Sequence, residues 1–404
     1  MRVLLSSYGS RGDVEPLVAL AVALKALGAE AILSLPGDEE FVELTHRAGV
    51  EMIPALMPVK RWIAEMGPVA KTDFPRVIST MMTGQLEAIG SAAKGCDAIV
   101  ATGLVPSAAA AQAVAEKMGI RYEHLSLCPL YLPSTHHKPF PFPGHPLPEG
   151  VTDNAALWAH NIKVIHSIFG GPVNAGRESV GLKPVSNVRD YVFTPHPWLA
   201  SDPVLWPWEK TEICDPVVTA AWILPDTRPL PSDLIAFLDA GERPVYVGFG
   251  SMTVPTAKAA GQAALDAVRA LGLRAVVGKG WADLGLIDDR GDCFAVGDLN
   301  QQKLFPRMAA VVHHGGAGTT TTATRAGAPQ VIVPQIVDQP YWAGRVAGLG
   351  IGAAHDGPSP TFESMTAALK VALAEETRLR AVAAAERSPG DGAMKAARLL
   401  LSGK

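Results

Sequence analysis

Short apolar runs and helix-period stretches take turns along most of this 404-residue chain. Residues 2–6, with Val3-Leu4-Leu5 at their centre, carry a buried-strand pattern, and the turn Tyr8-Gly9-Ser10-Arg11-Gly12-Asp13 follows. Leu17, Leu20, Ala21, Leu24 and Leu27 then recur at helical spacing, which predicts a helix starting near Glu15-Pro16 and capped by Gly28. Residues 31–35 predict a second strand, 98–101 a third, and 122–127 another after an alanine-rich helix. The pattern restarts at 243–248 with a strand, the turn Phe249-Gly250-Ser251-Met252 and a helix over 256–271. Strands over 274–277, 294–296, 309–312 and 331–333 follow, then helices over 363–374 and 394–401 separated by the breaker Pro389-Gly390. Such alternation predicts parallel, doubly wound sheets in two similar α/β halves.

Three stretches escape the pattern. Residues 56–90, with Met57, Trp62, Met66, Phe74, Met81 and Met82, read as irregular. So do residues 129–160, where Tyr131, Phe140, Phe142 and Trp158 stand among prolines. Long loops of this kind are commonly functional, and their Met and aromatic side chains suit an adaptable apolar acceptor pocket; the plainer alternative is lid packing. His136-His137 and His145 lack an acidic or Cys partner at ligand spacing and read as solvated loop residues. Proline density rises again over 205–230, which places the domain linker there.

Composition narrows the function. A net charge of −4 disfavours nucleic acid as a partner, and 48% hydrophobic with 18% charged residues marks a folded globular chain. The four cysteines, Cys96, Cys128, Cys214 and Cys293, show no zinc spacing and read as free thiols of a cytoplasmic protein. No signal peptide precedes the first strand, and no apolar run reaches the roughly 20 residues of a membrane span.

The densest chemistry lies at Ala309 to Gly327. A buried-strand run leads into His313-His314-Gly315-Gly316-Ala317-Gly318, then a threonine-rich helix ended by Gly327 and Pro329. Strand, glycine turn and helix can hold a phosphate, because small residues admit the anion to the free N–H groups of the first helical turn. The glycine spacing matches neither the dinucleotide nor the ATP pattern. A second turn, Pro334-Gln335 through Asp338-Gln339-Pro340, ends the next strand with a carboxylate and an amide suited to hydroxyl-rich ligands.

Together the two turns resemble the nucleotide-sugar signature of the inverting, two-domain GT-B glycosyltransferases. Trp222-Ile223-Leu224-Pro225-Asp226 and Val245 to Ser251 look most like the glycopeptide-antibiotic branch, while Gly9-Ser10-Arg11-Gly12-Asp13 is shared with sterol glucosyltransferases. The resemblance implies two Rossmann-like α/β domains facing a central cleft: residues 1–215 for the acceptor, 216–380 for the donor, and a helical tail, 381–404, crossing back to the first. It implies inverting transfer from a UDP- or dTDP-sugar to a hydroxyl of a hydrophobic natural product (a glycopeptide aglycone, sterol or macrolide-like molecule), giving a β-glycoside. No metal and no permanently bound cofactor are expected, and the protein is expected to be monomeric.

In the donor site, Ser251, His314 and the backbone at Gly316, Gly318 and Thr319 would meet the diphosphate. Leu299 and Gln301 would lie against the base and ribose. Trp281 would either stack on the base or pack, and Asp338 and Gln339 would hold the sugar hydroxyls. Ser10, Arg11 and Gly12 would flank the donor, and Asp13 would be the general base, or else only a helix cap. The acidic run Asp288-Asp289-Arg290-Gly291-Asp292 reads as a solvated turn. A nucleotide-sugar 2-epimerase of the same fold and a non-catalytic glycosyltransferase-like helper are the alternatives.

Overall fold

The computed structural model describes residues 1–66, 73–252, 255–280 and 290–403. Strand β1 (Arg2–Tyr8) is almost wholly buried, as its apolar run requires. It pairs in parallel with β2 (Glu30–Leu35) on one side and β4 (Ala98–Gly103) on the other, so that Leu4 lies between Ile32 and Ile99. β3 (Glu51–Pro54), β5 (Arg121–Ser126), β6 (Trp198–Leu199) and β7 (Val217–Val218) complete a seven-stranded sheet of order β3-β2-β1-β4-β5-β6-β7. Leu4, Ile32 and Ile99 pack against the alanines of helix Val105–Met118 and against Ile165, Phe169 and Val173. Reversal of strand order beside β1 puts the turn after Tyr8 at the switch point of the sheet.

The helix after β1 begins at Arg11, four residues before the expected start near Glu15-Pro16. Ser10 is its N-cap, and its backbone N–H donates to Asp13 Oδ2 at 3.0 Å. Pro16 therefore lies inside the helix, and since it has no N–H, the Gly12 carbonyl receives no helical bond from it.

The stretch read as irregular over 56–90 is largely helical among its described residues, whereas that over 129–160 becomes α-helical only from Asn154. Residues 59–66 form helix Val59–Met66, and residues 74–92 form helix Phe74–Ala92 with Met81 and Met82 in the core. Asp73 caps the second helix by accepting from Arg76 N–H, and Pro75 occupies its first turn, where no partner for its nitrogen is needed. Trp158 belongs to helix Asn154–Ser179 rather than to a loop. The proline-rich tract near 205–230 is not structureless either, since β6 and β7 flank its start and extend the sheet parallel to β5.

The second sheet has six parallel strands of order β10-β9-β8-β11-β12-β13: β8 (Val245–Gly248), β9 (Ala275–Gly278), β10 (Cys293–Val296), β11 (Ala310–His313), β12 (Gln330–Ile332) and β13 (Gly352–Ala354). Val245, Val247, Val277 and Val312 lie under helices Pro255–Ala270 and Phe362–Ala372. Gly327, at φ +64°, closes helix Ala317–Arg325 in the left-handed conformation that glycine adopts without strain.

The chain divides into two compact units. One comprises Met1–Ser201, Trp208–Leu224 and Gly390–Lys404, the other Asp202–Pro207 and Pro225–Pro389. Helix Gly392–Leu401 thus joins the first unit, against helix Arg11–Ala26. Lys395 Nζ donates to the Val218 carbonyl at 2.8 Å, and Arg121 Nη1 donates to the Leu400 carbonyl at 3.2 Å. A Cβ on Gly392 would stand 2.6 Å from the carbonyl oxygens of Ala220 and Ala221, so only glycine fits.

Candidate functional site

In the second unit, turns beyond the C-terminal ends of β8, β9, β11 and β12 converge. The turn after β11 is built on a one-way chain of hydrogen bonds. His313, fully buried, accepts the Gly315 N–H on Nδ1 at 3.1 Å, so its proton is on Nε2, which donates to Gln330 Oε1 at 3.0 Å. Gln330 Nε2 donates to Thr324 Oγ1 (2.9 Å), and Thr324 Oγ1 donates to the Thr320 carbonyl (2.9 Å). Thr320 Oγ1 in turn donates to the Gly316 carbonyl at 2.9 Å. Burial holds His313 far down, near pKa 3, with the neighbouring His314 adding to the effect. A neutral His313 is what the chain requires, since Nδ1 must keep its lone pair. The Gly315 N–H is used up here.

Gly315 itself, at φ +91°, approaches the next turn so closely that a Cβ would meet Ile332 Cγ2 at 2.7 Å and the Gln339 carbonyl at 3.2 Å. His314 is 8% exposed and wedged between two glycines. A Cβ on Gly250 would touch its Cε1 at 3.1 Å, and one on Gly316 would collide with its Nε2. Its Nδ1 is buried without a partner, and burial lowers its pKa to about 4, so the ring is neutral at neutral pH. A neutral imidazole with an unmet polar atom, beside the first turn of a helix, has hydrogen-bonding capacity to spare. Gly316 is the N-cap of that helix, Thr319 is half-buried, and Gly318 is exposed. A Cβ on Gly318 would meet nothing within 4 Å among the described residues.

Ser251, half-buried, follows Gly250 in the turn after β8. Gly280, after β9, packs against the Gly250 backbone. Trp281, Asp288 and Asp289 lie outside the described residues. Leu299, packed partly on the core around Leu304, and Gln301, half-buried, stand beyond β10 at the edge of the sheet. Asn300 between them is fully buried and fully employed. Its Oδ1 caps helix Gln301–Leu304 through Lys303 N–H (3.0 Å), and its Nδ2 donates to the carbonyls of Asp226 (2.7 Å) and Arg228 (2.8 Å).

Asp338 accepts from Trp342 Nε1 on Oδ2 at 2.8 Å, and burial raises its pKa against that bond. Gln339, expected to hold sugar hydroxyls, has part of its side chain engaged within its own turn. It is 4% exposed, its Oε1 accepts the backbone N–H groups of Gln335 (2.7 Å) and Ile336 (3.0 Å), and its Nε2 points to Met252 Sδ at 3.5 Å. Among the described residues, then, the structure brings together Ser251, His314, Gly316, Gly318, Thr319, Asp338 and Gln339 through adjoining turns. His313, Gln330, Thr320 and Thr324 were not marked as site residues by sequence, although Thr320 and Thr324 are spaced to share one helix face.

Ser10, Arg11, Gly12 and Asp13 form the turn after β1 in the first unit. Arg11 Nε is ion-paired with Glu15 at 2.8 Å, and Gly12 is exposed. Asp13 is half-buried, with Oδ2 folded back on the Ser10 N–H, and a Cβ on Gly9 would strike its carboxylate. The helix-cap role is therefore realised, in a carboxylate at the C-terminal end of a central strand.

Residues 291–391 match the family described as erythromycin biosynthesis protein CIII-like, C-terminal domain. The chain is 52% identical over 404 residues to glycosyltransferase GtfE of Amycolatopsis orientalis, covering all of this chain and 97% of that one. To the vancomycin aglycone glucosyltransferase of the same organism it is 49% identical over 401 residues, covering 99% and 97%. Among solved structures, glycosyltransferase VinC in complex with dTDP has the same fold, with a TM-score of 0.66 at 19% identity, over 96% of this chain and 95% of that one. With this likeness over its whole length, the chain belongs to the family of the glycopeptide-antibiotic glycosyltransferases.

Proposed function

We propose that this enzyme transfers a sugar from a dTDP- or UDP-sugar, with inversion, to a hydroxyl of a hydrophobic natural product of the glycopeptide-aglycone kind, giving a β-glycoside. The observation that carries the reading is the unpartnered, neutral His314 imidazole beside the open first turn of helix Ala317–Arg325. A diphosphate there would accept from His314, from Ser251 and from the N–H groups of Gly316, Gly318 and Thr319. These donors stabilise the negative charge that grows as the nucleoside diphosphate departs. The names of close relatives favour the acceptor class, and the dTDP bound to VinC favours a thymidine nucleotide.

In the reaction the acceptor oxygen bonds to the anomeric carbon as the bond from that carbon to the phosphate oxygen breaks. The acceptor proton passes to the Asp13 carboxylate, which Ser10 holds in place. Leu299 and Gln301 would lie along the base and ribose, Asp338 and Gln339 would hold the sugar hydroxyls, and Ser10, Arg11 and Gly12 would flank the donor. We also propose a cytoplasmic monomer that needs neither metal nor a resident cofactor. Among the described residues no helix is long and apolar enough to cross a membrane.

The deciding experiment is a panel of nucleotide sugars against a glycopeptide aglycone, a sterol and a macrolide, read by mass spectrometry, with the anomeric configuration fixed by proton coupling constants. Release of a free 2-epimer without acceptor, or no product from any pair, would overturn the reading.

A further inference from the structure

Asp38 stands where it should cap one helix, and its side chain caps another. It is the N-cap of helix Glu39–Ala48, where its backbone carbonyl accepts from the N–H groups of Phe41 (2.9 Å) and Val42 (3.1 Å). An N-cap aspartate normally turns its carboxylate onto the first turn of its own helix, and no such bond forms here. The carboxylate instead reaches 21 residues along the chain. Its Oδ2 accepts the Val59 N–H at 2.6 Å, and its Oδ1 accepts the Lys60 N–H at 3.2 Å. Both donors belong to the first turn of helix Val59–Met66. Asp38 is 4% exposed, so water screens these charge-assisted bonds little.

The side chains of that helix give it little grip. From Val59 to Glu65 only Val59 is buried, Trp62 is half-buried, and the rest are exposed. Eight residues are too few to stay helical on propensity alone. The surface pair of Lys60 with Glu40, at 3.2 Å, adds little. Two further attachments lead to the end of β1. The Trp62 ring stands edge-on to the Tyr8 ring, with centroids 5.8 Å apart, and the Tyr8 hydroxyl donates to the Met57 carbonyl at 3.0 Å. Tyr8 is fully buried, and burial, then the Asp38 charge, raises its pKa, which keeps the hydroxyl a donor. As the last residue of β1, Tyr8 fastens the helix beside the turn that carries Asp13.

We propose, on the glycosyltransferase reading above, that Asp38 is a positioning residue for the acceptor: by capping helix Val59–Met66 across the chain, it fixes Trp62 and Ile63 where they meet the acceptor's apolar face. In doubly wound sheets ligands lie beyond the strand C-termini, and this helix follows β3 at that end of the first sheet. Without the carboxylate, the first N–H groups of the helix lose their acceptor, its first turn frays, and the fraction of molecules ready to bind falls.

The test compares Asp38→Ala and Asp38→Asn with the parent, using the acceptor found by the substrate panel and digestion with trypsin, which cuts after Lys60 and Arg61. Asp38→Ala should raise the KM for acceptor about 3- to 30-fold, with kcat at saturating acceptor and the Kd for nucleoside diphosphate held within about twofold. Cleavage after Lys60 and Arg61 should quicken in the same variant, and saturating acceptor should slow it. Asp38→Asn keeps one oxygen for the Val59 N–H, so it should fall between the alanine variant and the parent in both readouts. An unmoved acceptor KM overturns the assignment, as do equal losses for donor and acceptor, or cleavage that the acceptor does not slow. If Asp38→Ala does not fold, Asp38→Asn decides, and a parental acceptor KM refutes the positioning role. If no acceptor of the panel reacts, the functional reading fails by itself. Digestion, which needs no substrate, then judges the anchor, and a parental cleavage rate in Asp38→Ala discards it.

Discussion

Replacing Gly318 by alanine should move stability and binding in opposite directions. Gly318 is the second residue of helix Ala317–Arg325, and among the described residues its missing Cβ would touch nothing within 4 Å. In the empty protein the change only removes backbone freedom from the unfolded chain and adds helix propensity, a gain of about 0.5–1 kcal/mol. The thermal midpoint of the second unit should rise by about 1–4 °C. With a diphosphate on the first helical turn, the same methyl intrudes into the cradle. Overpacking of that kind costs about 1–3 kcal/mol, which is about 5- to 150-fold in Kd. Gly316→Ala is the control. Its φ of −64° and ψ of 140° suit any residue, but its Cβ would strike His314 Nε2, so stability and binding should fall together. Calorimetric titration with dTDP and UDP, paired with thermal melts, reads both quantities. A Gly318→Ala protein that is more stable and binds nucleotide as tightly as the parent would remove the helix N-terminus from the donor site.

Asp13→Asn keeps an acceptor for the Ser10 N–H but cannot take a proton, so turnover should drop by about 10²–10⁴ with the melting point unchanged. Asp13→Ala should also lose about 1 kcal/mol of stability, and an active Asn variant would leave Asp13 as a cap alone. His314→Ala should lower kcat by about 10²–10³ at little cost in acceptor affinity, and near-parental turnover would discard its role on the phosphates. Activity should survive EDTA; loss on chelation with recovery in magnesium or manganese would demand a metal site. Acid should destabilise the fold through its buried imidazoles. His124, stacked on Phe193, is pushed down to about 3 by burial, so the unfolded chain binds its proton first as pH falls below 6.5. Its contribution is whole above pH 6.5 and drains away toward pH 3, at no more than about 1.4 kcal/mol per pH unit. His124→Leu should therefore flatten the acid limb of the melting-point profile, and an unchanged limb would assign acid lability elsewhere.

Much of the fold was legible because period carries through burial. The runs around Leu4, Val247 and Val312 are long enough to mark central strands, and glycine marks the turns that follow β1, β8 and β11. Strands as short as Trp198–Leu199 or Gly352–Ala354 leave no period to detect. Proline misled twice. Pro16 looked like a helix start but sits inside helix Arg11–Ala26, and Pro75 stands in the first turn of helix Phe74–Ala92, within a stretch read as irregular. In the same way Gly170-Gly171-Pro172 hid the 26-residue helix Asn154–Ser179. At the site, residue types pointed to His314 and the glycines, and there the structure shows an imidazole nitrogen without a partner and open space beside Gly318 among the described residues. Gln339 could not be sorted, since its partners are backbone N–H groups and composition does not show whether an amide looks outward or inward. His313 was equally opaque: beside His314 in sequence, it spends both ring nitrogens inside the protein.

The contribution of Gly390–Lys404 to the first unit has a consequence for how the polypeptide matures on the ribosome. Domains commonly fold in the order of their synthesis. Here the unit that emerges first cannot be finished first, because the helix that covers Arg11–Ala26 is made after the whole of Pro225–Pro389. The nascent first unit therefore waits with that face bare, while the second unit acquires all its strands and closes. A stalled or truncated product would carry a finished second unit and an unsealed first unit. Chaperones and proteases acting during translation would meet apolar surface on the N-terminal side of the molecule.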